Sequence, residues 1–407
     1  MITDHARSGR RLSPAFWLLS GQLIMFTGIA ALFPIAPLYI AHRGGSSVEI
    51  ALFVAGPLAA NMVVQVPAGR LADRIGRRPI LLGTRIVYVG LAALLFADVG
   101  PLPVLILIRA LQGAASGAYV PALLAALTDI TEPSRRIERF AQVQACEMVG
   151  LLLGPLLGGA AALWHDSAAF GVAGLAVLLG LLPMAGVPET MTRTPRSANA
   201  ERLRWWRRRG ILVPSLGLFA VGTIFAMYDV VWPQYLGARG YGPFVVGVSI
   251  SLFAIPILLL ARRGGRLSQR FGPRRVVPLG FVVVAATAAS YPFLRSFGVI
   301  TAVGEAEAVG IMFLEPGLYA VIGASVDEHN RGRAMGIGGF FQFGGSALGA
   351  GVLGSLYGLR EGVPFWIGSA VLFAAGALCA VALPRGLLRV EPTQLEPQPT
   401  VREREVV

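Results

Sequence analysis

The chain contains no lysine, only two cysteines and few charged residues of any kind. Charged residues make up 14% of its 407 positions, whereas 55% are hydrophobic. So few polar residues cannot cover the surface of a soluble globular protein of this size. The protein must therefore be surrounded largely by lipid. The two cysteines, Cys146 and Cys379, lie in apolar runs, where they suit helix packing rather than a structural disulfide.

Long apolar runs take the place of the missing polar surface. Each is about twenty residues long, enough for an α-helix to cross roughly 30 Å of hydrocarbon, and short turns rich in arginine or glycine divide them. The alternating pattern of a membrane barrel is absent, so the predicted class is an all-α membrane protein. We predict about twelve spans, at 15–41, 48–68, 79–98, 103–127, 139–164, 167–187, 211–236, 244–262, 276–294, 298–323, 334–358 and 363–383.

The positions of the arginines indicate the orientation. The net charge of +13 would by itself also suit a nucleic-acid partner. Most arginines, however, lie in alternate loops, near 70–78, 135–139, 193–209, 262–275 and 331–333, as the positive-inside rule describes. We therefore predict a multi-pass protein of the bacterial inner membrane with both termini in the cytoplasm and no nucleic-acid partner.

Two blocks of sequence recur at one constant offset. The pattern Pro-x-Tyr-x-x-x-Arg-Gly occupies 37–44 and again 233–240, and GRLADRIG at 69–76 recurs as GRLSQRFG at 265–272. Two blocks that share an offset indicate duplication of a six-span unit, which is a transporter architecture. We predict a cytoplasmic segment 1–14, six-helix bundles 15–187 and 211–383, a basic linker 188–210 between them, and a cytoplasmic tail 384–407.

Residues 69–78 read GRLADRIGRR, with one carboxylate among four arginines. This run resembles the loop signature of the major facilitator superfamily. The resemblance implies two pseudo-symmetric six-helix halves and a cytoplasmic latch between them, in which Asp73 pairs with an arginine or caps a helix. The second copy has Gln269 instead of Asp73, so its latch is expected to be weaker. With the acid and base groups that follow the fourth and tenth spans, the predicted gate residues are Gly69, Asp73, Arg74, Gly76, Arg77, Arg78, Asp129, Arg135, Arg136, Asp327, Arg331 and Arg333.

Two further motifs lie inside spans. Arg109, in the run RALQGAA, resembles the superfamily motif of the fourth span, which implies that it sets the charge of a coupling site. The run GLLLGPLLGG at 150–159 resembles the motif of the twelve-span drug:proton antiporters, with glycines for close helix contact and a proline for a bend. Ordinary small-residue packing is the alternative for this run. Its motif residues are Gly150, Gly154, Pro155, Gly158 and Gly159.

Ionisable side chains inside spans are costly, and they mark ion pathways or buried partners. The candidates for proton coupling are Arg109, Glu147, Asp229, Glu305, Glu307 and Glu315. Glu147 ranks first because it lies near the middle of its span, although each acid could instead be a capped structural group. Glu305 and Glu307 are about 200° apart on a helix and cannot both face one cavity. Side chains expected along a substrate cavity, unless they only pack helices, are Gln22, Phe26, Tyr119, Met227, Tyr228, Trp232 and Tyr319.

The resemblance implies a secondary active transporter that works by alternating access. Proton-coupled export of small amphipathic or hydrophobic compounds, as in multidrug efflux, is the leading hypothesis, and lipid or sugar transport by the same fold stays open. An intramembrane enzyme is disfavoured, because the four histidines lie at span ends or a terminus and no spacing suits a nucleophile–base pair or a metal. We expect no cofactor, and we expect a monomer whose partners are protons, a small-molecule substrate and the bilayer.

Overall fold

The computed structural model describes residues 13–132, 135–191, 205–326 and 328–384, and the regular structure there is helical. Two 3₁₀ turns, at Trp205–Arg207 and Tyr291–Phe293, accompany the α-helices. The α-helices in chain order are α1 (Pro14–Ala30), α2 (Ala36–His42), α3 (Ser47–Ile75), α4 (Arg77–Phe96), α5 (Leu102–Asp129), α6 (Arg136–Ala161), α7 (Ala168–Ala185), α8 (Arg209–Gly237), α9 (Pro243–Phe271), α10 (Pro273–Ser290), α11 (Phe297–Ala324), α12 (Glu328–Leu356) and α13 (Val363–Ala382).

Ten of the described helices are long and apolar enough to cross a membrane. The two remaining positions of the predicted set are filled by α1 together with α2, and by α12. The predicted first span is two helices because the chain leaves the α-helix at 31–35, around Pro34, which lacks the N–H that a continuous helix needs. α12 is 29 residues long and contains many glycines and several polar residues. The helical architecture, with ten membrane-span candidates among the described residues, confirms the predicted all-α membrane fold, and the number of twelve spans stays a prediction.

Helices α1 to α7 pack as one half, and α8 to α13 pack as the other. In the first half α1 packs against α6 and α7, and α5 packs against α3 and α4. The second half repeats this plan, with α8 against α12 and α13, and α11 against α9 and α10. The halves meet where α6 packs on α9 and where α3 packs on α12. Most of the predicted linker, 192–204, lies outside the described residues, as do 1–12 and 385–407.

The two halves are in contact at one end of the molecule. We call the end that carries loop 69–78 the signature end, and the opposite end, where α2 leads to α3 and α8 leads to α9, the far end. At the far end a Cβ added to Gly247 of α9 would lie 2.2 Å from the carbonyl oxygen of Pro155 in α6. A Cβ added to Gly354 of α12 would lie 2.9 Å from the Cβ of Ala51 in α3. These contacts close the far end. Backbones can approach each other so closely only where the residues are small.

Candidate functional site

The signature loop is organised around Arg77. Gly76, between α3 and α4, has a φ of 106°, a left-handed conformation that favours glycine. Arg77 Nη1 donates to Asp73 Oδ1 at 2.6 Å, and its Nε donates to Asp129 Oδ2 at 3.3 Å. Because Asp129 is the last residue of α5, Arg77 joins the loop to the end of the fourth membrane helix of its own half.

The first turn of α4 is capped by an acid that is distant in sequence. Glu189, shortly after α7, accepts hydrogen bonds from the backbone N–H groups of Arg77 at 2.9 Å and Arg78 at 3.1 Å. Burial raises the pKa of Glu189, but the N–H groups of Arg77, Met191 and Arg78 outweigh it and hold the pKa below its ordinary value. Glu189 was not among the predicted residues. The one signal for it is that α4 starts after Gly76, which has no side chain to cap a helix.

The acid and bases after the fourth membrane helix do not pair with one another as their proximity in sequence suggested. Asp129 binds Arg77, whereas Arg135 binds Glu138 on its own helix at 3.2 Å in an exposed position. Arg136 begins α6 beside this pair. Exposed pairs of this kind add little to the stability of the fold, because water screens their attraction.

The remaining predicted gate residues contribute less to the described structure. A Cβ added to Gly69 would lie 3.7 Å from Pro121, so α3 runs close to α5 at this point. Arg74 and Arg333 are exposed. Asp327 and the side chains of Arg331 and Gln269 lie outside the described residues, and the weaker second latch stays a prediction.

The glycines of the 150–159 run face two different neighbours. Toward α1 of the same half, a Cβ on Gly150 would lie 2.9 Å from Phe26, and one on Gly158 would lie 1.7 Å from the carbonyl oxygen of Ala31. Gly154 lies between these two on the same face and is equally close to α1. These glycines therefore allow the backbones of α1 and α6 to touch.

The other face of the same run touches the second half. A Cβ on Gly159 would lie 2.8 Å from the carbonyl oxygen of Pro243, at the start of α9. The carbonyl of Pro155 is correspondingly close to Gly247, one turn further along α9. The motif that resembles the antiporter sequence thus lies at the contact between the halves.

Carboxylates from both halves approach each other inside the bundle. Gln22 Nε2 of α1 donates to Glu147 Oε1 of α6 at 3.0 Å. Glu147 is within electrostatic range of Glu315 on α11, which belongs to the second half. Beside Glu315, the hydroxyl of Tyr319 donates to Gln342 Oε1 of α12 at 3.0 Å. The predicted residues Glu147 and Glu315 therefore interact across the two halves, and Gln22 and Gln342 are polar groups near them.

A second charged pair also joins the halves. Arg109 on α5 and Asp229 on α8 interact electrostatically. Arg109 Nη1 donates to Gln112 Oε1 at 3.1 Å, one turn along its own helix. The guanidinium also lies 6.0 Å from the centre of the Phe53 ring. Two ionisable side chains of the first half thus interact electrostatically with two of the second half.

Glu307 is placed differently from the other membrane acids. Its side chain is fully buried inside the second half, where Tyr291 donates to its Oε2 at 2.5 Å and Tyr228 donates to its Oε1. The ring of Trp232 packs edge-on against Tyr291 at 4.9 Å. Glu305, on the other face of α11, is partly exposed. Tyr228 and Trp232, predicted along a cavity, here enclose Glu307.

Two other residues that were expected along a cavity lie in the cores of their own halves. Tyr119 is 1% exposed and Met227 is 0% exposed. Tyr119 accepts a hydrogen bond at 2.5 Å from Arg85 Nη2, and Arg85 Nη1 donates to the carbonyl oxygen of Gly21 at 3.4 Å. Arg85 was not predicted, although it is a charge inside an apolar run, the same signal that identified Arg109.

A sequence model of the family described as Major Facilitator Superfamily matches residues 18–214 and again residues 214–406. The chain belongs to the major facilitator superfamily. It is accordingly a membrane transporter and not an enzyme. The computed fold agrees, since the chain resembles a crystal structure of a D-xylose-proton symporter with a TM-score of 0.76 at 14% identity, over 91% of this chain and 98% of that one. It also resembles a bacterial homologue of the lysosomal transporter Spinster, solved in an inward-facing conformation, with a TM-score of 0.71 at 15% identity, over 91% and 94% of the two chains.

Curated relatives within the superfamily are distant. Multidrug resistance protein 1 of Bacillus subtilis (strain 168) is 22% identical over 89% of this chain and 94% of its own. Inner membrane transport protein YajR of Escherichia coli (strain K12) is 25% identical over 85% of this chain and 78% of its own. Quinolone resistance protein NorA of Staphylococcus aureus (strain MSSA476) is 24% identical, but the match covers only 52% of this chain and 58% of that protein.

Proposed function

We propose that this major facilitator transporter exports small amphipathic or hydrophobic compounds from bacteria in exchange for protons. Two of the relatives are named for resistance to quinolones or to several drugs, which supports this substrate class. The observation that carries the proposal is the position of Glu147. It lies on α6, the helix whose Pro155 touches α9, and it interacts with Glu315 of the other half.

Two carboxylates in a site of low polarity resist being ionised together. A proton on either one removes their repulsion and lets the halves approach around Glu147 and Glu315. Loss of that proton, or binding of a substrate between the halves, shifts the equilibrium toward separation of the two halves. Arg109 and Asp229 provide an attraction between opposite charges across the same boundary. The protonation state of the site is thereby linked to the arrangement of the halves, which alternating access requires.

The test is transport by purified protein in proteoliposomes, with amphipathic dyes and an imposed pH gradient. Glu147→Gln keeps the size and hydrogen bonding of the side chain but cannot exchange a proton. We expect it to abolish accumulation of the dye against its gradient and to preserve downhill exchange. Glu305→Gln is the matched control, because Glu305 is a partly exposed acid away from this site, and it should accumulate dye normally. Normal accumulation by Glu147→Gln would refute the proposed coupling site.

The proposed orientation places the signature end in the cytoplasm. An epitope tag after Val407 and one within 192–200 should be accessible only after the cells are permeabilised. Detection of either tag on intact cells would reverse the orientation inferred from the arginines.

A further inference from the structure

Arg85 is a buried cation in the middle of α4. The residue is 1% exposed, and no ion pair in the described part of the chain includes it. A buried charge is costly unless hydrogen bonds or an opposite charge compensate it. Tyr119 of α5 provides the shortest contact, since its hydroxyl accepts from Nη2 at 2.5 Å and its ring centre lies 4.3 Å from the guanidinium carbon. The coupling site proposed above gives this cation no task.

Glycines of two neighbouring helices make room for the guanidinium of Arg85. The backbone oxygen of Gly21 in α1 accepts longer hydrogen bonds from Nη1 at 3.4 Å and from Nη2 at 3.5 Å. A Cβ added to Gly180 of α7 would lie 2.8 Å from Nη1, so a larger residue there would displace the guanidinium. Arg85 therefore connects α4 to α1 and α5, in a space that α7 leaves open.

Both acceptors of Arg85 adjoin the proposed coupling site. Gly21 is followed directly by Gln22, whose Nε2 donates to Glu147 Oε1 at 3.0 Å. Tyr119 interacts electrostatically with Glu147. Because an N–H donor favours the ionised form of a carboxylate, any group that fixes Gln22 influences how readily Glu147 releases its proton.

We propose, building on the proposed function, that Arg85 is a positioning residue of the coupling site. It holds the backbone of α1 at Gly21, so that the amide of Gln22 stays bonded to Glu147. Without Arg85, the Gln22 side chain is free to turn away, and Glu147 loses the donor that stabilises its ionised form. The buried cation of α4 thereby acts on proton exchange through α1.

Other ionisable groups also surround Glu147. Glu315 interacts with it from α11 of the second half, Cys146 precedes it on α6, and Tyr119 faces it from α5. The helices α1 and α7 and residues 243–260 of α9, which pack against α6, carry no ionisable side chain. Substitutions at Arg85 leave all of these groups in place, so a change in the titration of Glu147 can be assigned to Arg85.

The test is an infrared titration of the purified full-length protein in lipid, without any substrate. The carboxylic acid band that is missing in Glu147→Gln belongs to Glu147, and its loss with rising pH gives the midpoint of deprotonation. We expect Arg85→Met to raise this midpoint by about one pH unit, as loss of a hydrogen bond to a carboxylate predicts. Arg85→Lys keeps the charge but loses the planar fork that reaches Gly21 and Tyr119 together, and it should raise the midpoint by about half as much.

A double-mutant cycle decides whether Arg85 acts through Gln22. Gln22→Met keeps the length of the side chain but removes its donor, so it should raise the midpoint by itself, and adding Arg85→Met should raise it no further. Arg239→Met is the matched control. Arg239 also lies against a tyrosine ring, with its guanidinium carbon 3.6 Å from the centre of Tyr235, and it also donates to backbone oxygens, but it is at the far end of the second half. It should leave the midpoint unchanged.

Three results would overturn the positioning role. An unchanged midpoint in folded Arg85→Met would show that Arg85 only packs helices. A shift with Arg85→Met but none with Arg85→Lys would show that the charge alone is sufficient. Additive shifts in the double variant would show that Arg85 acts independently of Gln22. If Arg85→Met does not reach the membrane, Arg85→Lys takes its place in the cycle, and an unchanged midpoint then overturns the role.

The titration also distinguishes this role from the proposed function. It needs no transport, so the expected shifts together with failed dye export would support the positioning role and contradict export. Normal proton-driven dye export with no shift in Arg85→Met would do the reverse. Absence of a titrating Glu147 band in the unmodified protein would refute both.

Discussion

Helices α6 and α12 occupy equivalent places in the two halves. Comparing them distinguishes residues that pack the helices from residues that could exchange a proton. Each packs through glycine onto the first long helix of its own half. A Cβ on Gly158 would lie 1.7 Å from the carbonyl oxygen of Ala31, just after α1, and one on Gly345 would lie 2.0 Å from the carbonyl oxygen of Phe219 in α8. Close glycine packing is therefore shared by both halves, and it is no signature of export by itself.

The difference between the two helices lies one turn before Gly150 and its counterpart Gly345. Glu147 precedes Gly150 by three residues, just as Gln342 precedes Gly345. The first half thus carries an ionisable acid where the second half carries a neutral amide, and only α6 has the Gly-Pro pair. This difference between otherwise similarly packed helices supports the proposed role of Glu147 in proton coupling.

The largest effect is expected from the signature loops, where the halves also differ in one acid. Asp73→Asn keeps the shape of the side chain but weakens its contact with Arg77, so we expect loss of transport at normal membrane abundance. Gln269→Asn, the matched change in the second copy, should retain most transport. Dye flux and membrane abundance are measured together. Full activity of Asp73→Asn would mean that this loop is not the latch.

Pro155 gives the next test of the comparison, because Gly154 matches Gly349 and the residue after Gly349 is Ala350, not proline. Pro155→Ala restores a backbone N–H inside α6 and removes the constraint at the contact with Gly247. We expect slower transport with thermal stability equal to or above that of the unmodified protein. A loss of stability in proportion to activity would instead make Pro155 an ordinary packing residue.

Replacing the packing glycines should lower the stability of both halves alike. Gly158→Ala and Gly345→Ala each push a methyl group into a backbone carbonyl, and overpacking of this kind costs about 1–3 kcal/mol. The controls are Gly83→Ala and Gly336→Ala, whose added methyl groups meet no atom within 4 Å. Thermal unfolding in detergent should show lower midpoints for the first two variants and unchanged midpoints for the controls. A decrease in only one half would show that the packing is not equivalent.

The smallest effect is expected at the start of α4. Glu189→Gln removes the charge from the acid that caps the backbone N–H groups of Arg77 and Arg78. The matching helix α10 needs no such cap at its first residue, because it starts with Pro273, which has no N–H. Because the folded pKa of Glu189 is lowered, its stabilisation is complete above the ordinary value near 4.3 and is lost as pH falls through the folded pKa. The variant should unfold slightly earlier than the unmodified protein at pH 7, and the difference should narrow below about pH 4. A constant difference across this range would exclude the charge as its cause.

Several features could be predicted because single segments carry them. The spans followed from the lengths of apolar runs, as for 103–127 against the observed Leu102–Asp129. The break at 31–35 was missed, although Pro34 signals it. Arg85 was missed as well, although it carries the same signal as Arg109. Glu189 had a weaker signal, because a capping acid can come from any loop that reaches the helix start.

The sequence by itself determined that the chain is a duplicated helical membrane protein and which of its acids lie in the membrane. Helical hydrogen bonds and the burial of apolar side chains in lipid act within each segment, so composition and spacing are enough to predict them. Only the tertiary structure decided the partners: Glu147 interacts with Glu315, Arg109 with Asp229, and Arg43 with the carboxylate of Asp98. A charge meets its partner through the rotation and depth of helices far apart in the chain, and packing sets these.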